Sequence, residues 1–467
     1  MRSPLPRFPA FRIAPPRYAA LGGGALLLGV ATVLSDDFVQ FSRGFNPLAL
    51  LEVACFAAAF GLLLAATLDL PAERASWRHW SESRWSSVAR GVATVAMALL
   101  AVISFLLFMG FLHTILFTPI AATYWNDVIS FNAANAQAVL SGRNPYTDDA
   151  NFLPTLMRYL QAPATPIQGP IFGYGYNYPV PERVFAVDKA YMHDPVANAA
   201  AFNPATLHSY PALSFLIYIP LVALGQNILW LHLLAYAGLF GWLVALAPRE
   251  QRGWVALVAA ATATIPFRTL VLDTEIICLV FLFVAWQYRE RRWVSAIALG
   301  LGCAFKQYCW IFAPFFLLDT WLRQGWREAL KRTGVLVGTF LALNGPYIVV
   351  NGHAWLASVF LPVGGNLFPQ GMGLVALSLG RFLPGWPPVV YAVAELCAYL
   401  GALWLFVRYR NVLSESVLLL ALAPVVFAYR SPANYFAVLP WLALFAVLSL
   451  NRMRAAGVHS LSHMPTA

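Results

Sequence analysis

The sequence predicts an all-α polytopic membrane protein, with about 11–14 transmembrane helices of about 20 residues each. One large first external loop is expected to carry short interfacial helices. Three observations lead there. Of 467 residues, 60% are hydrophobic and 11% charged, against roughly 25% charged in a soluble domain, so the chain lacks polar surface to face water all round. The apolar residues fall into runs long enough for bilayer-crossing helices. The formal charge of +10 is carried almost wholly by arginine, with Lys189, Lys306 and Lys331 the only lysines. Those arginines gather in short breaks between runs, as the positive-inside rule places them, so the charge is read as topology and not as a nucleic-acid footprint.

The N-terminal "MRSPLPRFPAFRIAPPRY" has four arginines and no acid, and no small-residue cleavage pattern follows it. The first apolar run is therefore read as a retained span. Spans are expected at about 19–35, 47–68 and 91–117. The break "SDDFVQFSRGF" is mildly acidic, whereas the next carries Arg74, Arg78, Arg84 and Arg90. This puts the N-terminus and the second break in the cytoplasm and sends 118–208 outside.

That outer segment holds more acids (Asp127, Asp148, Asp149, Glu182, Asp188, Asp194) than bases (Arg143, Arg158, Arg183, Lys189). Its Pro, Gly and aromatic content, as in "PIFGYGYNYPVPERVF", predicts ordered loops with short helices lying on the membrane, since disordered segments are poor in aromatics. Further apolar runs lie at about 209–224, 227–247, 254–268, 273–287, 293–305, 308–322, 334–351, 371–383, 388–407, 412–428 and 434–450. The breaks "PREQR", "YRERR", "RQGWREALKR", "RYRN" and "NRMR" all read as cytoplasmic. Two full crossings between 209 and 247 contradict that, so one run is expected to be re-entrant or broken. No internal repeat is visible. The chain divides into 1–90 (tail and two spans), 91–450 (a transmembrane domain that includes the external loop 118–208, and that the resemblance drawn below implies is the catalytic one) and a tail, 451–467.

Five cysteines (Cys55, Cys278, Cys303, Cys309, Cys397) sit inside apolar runs without CxxC spacing, and are read as small core residues. His193-Asp194 has no ligand partner at helical spacing, so no metal site is expected. Without a Walker-type or dinucleotide glycine loop or a Gly-x-Ser-x-Gly elbow, nucleotide-driven chemistry is not expected.

Ionisable groups inside an apolar chain are costly, so each asks for a reason. In "YWNDVISFNAANAQAVLSGRNPYTDD", "DVISFNAANAQAVLSG" (127–142) reads as a short interfacial helix. Val128, Phe131 and Val139 turn to lipid and Asn132, Asn135 and Gln137 to water; Gly142 stops it and Asn144-Pro145 starts a turn. Asp127 at its start is either an ordinary N-cap or, beside Tyr124 and Trp125, a general base at the membrane–water boundary. In "FRTLVLDTEIICLVF", Asp273 and Glu275 either plug a helix break with Arg268 or wall a cavity that binds sugar hydroxyls. Lys306 in "GCAFKQYCW" either snorkels to an interface or, with Gln307, supplies a fixed cation for a phosphate. Arg430, Asn434 and Tyr435 in "AYRSPANYFAVLP" break the last spans on the expected outer face, where an arginine favours anion binding.

These residues resemble the motifs of the integral-membrane glycosyltransferases of the C-type (GT-C) superfamily, most closely the bacterial polyprenyl-phosphate-mannose-dependent alpha-mannosyltransferases. The resemblance rests on Asp127 followed by "VLSGRNPY" (139–146), on Tyr210-Pro211-Ala212 where the family has YPP, on "AIALGLGCAFK" ending at Lys306, and on "SPANY" (431–435). It spans roughly 91–450. Two departures are "DTE" where the family often has Gly-Gln, and the long insert 150–208.

The resemblance implies a GT-C-type bundle in a bacterial inner membrane with its active site on the periplasmic side. A sugar, mannose-like, would pass with inversion from a polyprenyl-phosphate donor to a hydroxyl of a glycan or glycolipid acceptor, without metal or other cofactor. Asp127 would be the general base; Lys306, Arg430 and Gln307 would hold the donor phosphate. Sugar and acceptor contacts would come from Tyr124, Asn126, Arg143, Asn144 and Tyr146 in the first loop. Further ones would come from Tyr210, Asp273, Glu275, Asn434 and Tyr435. Two rivals use the same residues: a secondary transporter with Asp273, Glu275 and Lys306 as an ion relay, and a lipid-glycan ligase or polymerase of the envelope.

Overall fold

A glycine decides how the first two helices meet. The computed structural model describes residues 15–69, 84–120, 123–124, 127–147, 159, 164–193, 208–263, 274–364 and 366–455. Helix α1 (Pro15–Val33) packs on α2 (Leu48–Thr67) so closely that a Cβ on Gly24 would lie 2.7 Å from Leu63 Cγ and 3.2 Å from the Ala59 carbonyl. Small residues permit this approach where lipid offers helices little hydrophobic reason to associate. A π-helical turn, Leu34–Val39, extends α1, and Arg17 at the other end donates to the Leu68 carbonyl at 2.9 Å.

Helix α3 (Arg84–Phe117) follows, then α4 (Asp127–Leu140). Gly142 stops α4 as expected. At φ +73° it lets the Arg143 amide reach the Ala138 carbonyl (2.9 Å) and its own amide reach that of Val139 (2.9 Å), the two bonds of a Schellman ending.

The faces of α4 differ from expectation. Phe131 is 5% exposed, and Asn132 and Asn135 are fully buried. The helix is sunk in protein because 208–216 covers it: Asn135 Nδ2 lies 2.5 Å from His208 Nδ1, and His208 Nε2 lies 2.9 Å from Ser214 Oγ. Burial pushes His208 down to about 3, so its ring is neutral and can accept from the amide.

After α5 (Pro181–His193), the run 209–224 forms only two short helices, α6 (Leu213–Leu216) and α7 (Ile219–Ala223). They begin and end at the Asp127 end: the Ala212 amide bonds Asn344 Oδ1 (2.9 Å) and Asn227 Nδ2 bonds Thr123 (2.9 Å). This broken run removes the topological conflict.

Helices α8 (Leu229–Leu246), α9 (Arg252–Ala263), α10 (Glu275–Gln287), α11 (Arg292–Phe305), α12 (Ala313–Gln324) and α13 (Trp326–Val359) then run alternately away from and toward that end. Arg249, Arg289, Arg291 and Arg323 share the opposite end. There the Arg289 guanidinium meets fully buried Glu415 at 2.5 Å, and Arg323 meets Asp319 at 2.8 Å.

Two more expected spans are not continuous helices. The run 371–383 contains only α14 (Leu374–Leu379), preceded by β1 (Gln370–Gly371). After α15 (Pro388–Arg408), the run 412–428 is broken into the turns Val417–Leu420 and Ala423–Phe427. Strand β2 (Arg430–Ser431) pairs parallel with β1, and α16 (Leu439–Ala455) closes the chain. Alternation of charge and apolar length cannot distinguish such broken passages from full spans.

Among the described residues, seven helices are long and apolar enough to cross a membrane. The last of these stretches, Ala433–Arg452, is 89% buried, while Thr94–Phe117 in α3 is 11% buried. Leu99, Phe105 and Leu106 are about 60% exposed. A chain whose apolar helices point outward is built for lipid. The protein is mostly helical, and its seven long apolar helices are compatible with a multi-pass membrane protein.

Gly371 is needed where β1 meets β2. Its φ is +106°, and a Cβ would stand 2.0 Å from the Ser431 carbonyl oxygen. Gly371→Ala is expected to separate the two loops and lower the melting temperature of the purified protein by several degrees, at about 1–3 kcal/mol for a strained position; an unchanged melt counts against this pairing.

Candidate functional site

A buried ion pair organises the Asp127 end. Glu275 opens α10 and Lys306 follows the last residue of α11, so two antiparallel helices bring them together. Lys306 Nζ lies 2.5 Å from Glu275 Oε1 and donates to Thr274 Oγ1 at 2.9 Å. Both are nearly fully buried: 2% and 1% exposed. Asn434 Nδ2 also donates to Glu275 Oε1 at 3.1 Å, while Oε2 has no partner among the described residues. The ammonium lies 5.1 Å from the Tyr210 ring centre and 5.7 Å from that of Tyr435, so it is faced by aromatic rings and does not snorkel to an interface. The sequence reads Lys306 as a snorkelling side chain or a fixed cation for a phosphate; in the structure it is ion-paired with Glu275 inside the fold.

Asp127 occupies the start of α4 and is half-buried. It is not an N-cap: its Oδ2 accepts from the Thr165 amide at 3.0 Å and from the Thr165 hydroxyl at 2.6 Å. Oδ1 accepts no hydrogen bond among the described residues. One residue earlier, the Ala164 amide donates to Asp188 Oδ2 on α5 at 3.0 Å. Burial, with Asp127 adding its charge, pushes Asp188 up to about 6.

Electrostatics link the pieces. Burial pushes the Tyr210 hydroxyl up; Lys306 opposes this, and Tyr435, Asp127 and Glu275 add to it. Burial likewise pushes Tyr178 up to about 12, with Arg430 opposing and Asp127 adding. Asp127 and the Lys306–Glu275 pair thus both act on Tyr210, and Asp127 and Arg430 both act on Tyr178.

Arg430 is half-buried. It donates through Nη1 to the Phe368 carbonyl (2.6 Å) and through Nη2 to Gln370 Oε1 (2.8 Å). The segment 164–193 lies against the same region. Gln168 Nε2 donates to the Leu367 carbonyl and to the Tyr429 hydroxyl, both at 3.0 Å, and its Oε1 accepts from the Gly175 amide at 2.9 Å. Tyr176 donates to the Trp386 carbonyl at 2.6 Å.

Other expected site residues have framework roles. Gln307 Nε2 is taken by the carbonyls of Ser209 (2.5 Å) and Val359 (2.7 Å), so it joins two loops. Tyr124 is 1% exposed and its hydroxyl accepts from the Ile228 amide at 3.1 Å, fixing the start of α8. Asn144 Oδ1 accepts from the Tyr146 amide at 3.0 Å, an Asx turn. Tyr146 is buried and donates to the Tyr210 carbonyl at 2.8 Å. Arg143 is half-buried at the Schellman ending. Asn126, Asp273, Arg268 and Trp125 lie outside the described residues.

Sequence reading did not single out Thr165, Gln168 or Asp188, which the structure places around Asp127 and its neighbours. They fall in the insert, outside every motif, and nothing local announces a threonine that meets a carboxylate 38 residues away. No group of three or more His, Cys, Asp or Glu side chains placed to hold a metal occurs among the described residues. No family model, no curated protein and no solved structure matches the chain.

Two outcomes are expected. Removing one partner of a buried ion pair leaves an unpaired charge at a cost of about 3–5 kcal/mol. Lys306→Met should therefore melt well below the parent, and Lys306→Met with Glu275→Leu should regain most of the loss. A double variant no better than the single would show that the pair is not coupled.

Asp188 titrates higher in the fold than the ordinary carboxyl value of about 3.9, so its contribution to stability is greatest below that value and is lost as pH rises toward about 6. Asp188→Asn keeps an acceptor for Ala164 and removes this loss. Melting at pH 5 and at pH 7.5 should show the variant gaining on the parent at the higher pH.

Proposed function

We propose that the chain is a membrane glycosyltransferase that takes a sugar from a polyprenyl-phosphate donor to an acceptor hydroxyl, with Asp127 as general base. What carries the reading is Asp127 itself: a half-buried carboxylate at the head of α4, with one oxygen tied down and the other accepting no hydrogen bond among the described residues. A base needs an oriented lone pair within reach of the acceptor, and a tethered carboxylate provides one.

In the proposed step the acceptor oxygen attacks the anomeric carbon and its proton passes to Asp127 Oδ1. The bond from that carbon to the phosphate oxygen breaks, and its electron pair leaves with the polyprenyl phosphate. The result is inversion. Arg430 is the cation for that phosphate. Two of its N–H groups are engaged by Phe368 and Gln370, which fixes the guanidinium, and a guanidinium has five in all. Lys306 keeps a supporting place: with Glu275, Asn434 and Tyr210 it forms a polar wall whose unpartnered acceptor, Glu275 Oε2, suits a sugar hydroxyl. On this reading the Asp127 end faces the periplasm across the bacterial inner membrane, because the arginine-rich breaks belong in the cytoplasm. Mannose is the first sugar to try.

The test is transfer by purified protein from a panel of polyprenyl-phosphate sugars. Asp127→Asn should cost about 10²–10⁴-fold in transfer, the usual share of a general base, with an unchanged melt. Full activity in Asp127→Asn would end the general-base assignment. No transfer from any donor, together with ion-coupled uptake in proteoliposomes, would favour the transporter. Transfer of whole glycan chains would favour the ligase.

A further inference from the structure

We infer that Thr165 is a positioning residue for Asp127: its hydroxyl and amide grip one carboxylate oxygen and leave the other aimed at the acceptor. The inference rests on the proposed general-base role and deepens it by naming what makes the carboxylate directional.

Both donors of Thr165 converge on Oδ2, at 2.6 Å and 3.0 Å, and none reaches Oδ1 among the described residues. An aspartate side chain otherwise turns about a soft terminal torsion that exchanges its oxygens. Two donors on one oxygen remove that freedom, and hydrogen bonds to a charged acceptor are the strong ones.

Thr165 is itself held in place. The preceding amide, Ala164, is fixed by Asp188 of α5, and Ala164 is 1% exposed. Three residues on, Gln168 fastens the segment to Leu367 and Tyr429. The grip therefore connects Asp127 to the far part of the chain through a rigid segment. The other ionisable groups that act around Asp127 are Asp188 from α5, Tyr178 from the loop before it and Tyr210 from the segment before α6; Arg430 stands beyond Tyr178.

The test compares Thr165→Val, which removes the hydroxyl and keeps the amide, with Thr165→Ser, which restores a hydroxyl. The first readout needs no substrate. The carboxylate stretch of Asp127, identified by its absence in Asp127→Asn, is followed by infrared difference spectroscopy. The band should shift in Thr165→Val and return in Thr165→Ser; a Thr165→Val band identical to the parent's overturns the grip.

The second readout is the split of kcat and KM for transfer. A base whose oxygen is no longer held loses orientation and not substrate affinity, so kcat should fall more than KM rises in Thr165→Val, and Thr165→Ser should restore both. A loss confined to KM, or no loss at all, overturns the positioning role even where the enzyme is active. Absence of transfer by the parent protein counts against the glycosyltransferase reading and leaves the infrared result to decide on the grip.

Discussion

A charge in a low-dielectric interior must find its opposite, and at Lys306 that requirement arranges much of the fold around it. Lone burial of an ammonium costs several kcal/mol even after relaxation. Its partner, Glu275, opens α10, so the N-terminus of one helix must meet the C-terminus of the next. Asn434 reaches the same carboxylate from 159 residues away and fixes the approach of the last segment. Tyr210 and Tyr435 cover the ammonium, and Tyr146 in turn ties down Tyr210's carbonyl. Loops that share no sequence neighbourhood thus surround one ion pair.

Around this fixed pair the polar groups divide their tasks. Lys306 and Glu275 largely satisfy each other, whereas Arg430 and Asp127 stand on loop and helix ends where backbone is irregular. Irregular backbone at a bundle's end is tolerated where protein or water meets its polar groups, and here it is met by 164–193 lying over 366–391. The arginine-rich end is built differently. Its pairs, Arg289 with Glu415 and Arg323 with Asp319, close the far ends of α10 and α12, about 20 Å from Lys306 for helices of this length. Ion pairs hold helices together at both ends, and only the Asp127 end adds a carboxylate with an oxygen that accepts no hydrogen bond among the described residues.

Much of the architecture was legible because hydrophobic length is a one-dimensional signal. The spans expected near 19–35 and 47–68 are α1 with its π turn and α2, and Gly142 ends α4 because only a residue tolerant of positive φ fits there. The runs 371–383 and 412–428 misled because Gly373 and Gly380 bound α14 in the first, and Ser414-Glu415-Ser416 and Pro424 interrupt the second, at intervals that hydropathy does not register. The faces of α4 misled for another reason. Periodicity tells which residues share a face, not what covers it, and His208 covers the Asn135 amide, assigned to water. Lys306 and Arg430 were both visible as misplaced charges, but which one finds an internal counter-charge is settled by a contact 31 residues away. Thr165 carried no signal, since its importance lies wholly in the carboxylate it meets.

The bond from Gln168 to Tyr429 joins residues 261 positions apart. A ribosome working at about 5–20 residues per second takes on the order of ten seconds to a minute to cover that distance. Through that interval the nascent chain already displays Asp127 and its glycine-asparagine-proline turn, yet Gln168 still lacks Leu367 and Tyr429, which fasten its segment. A chain cut short before its last spans would keep the whole recognisable motif and lack the surface that seats it. Completion of the site is thereby tied to completion of the polypeptide.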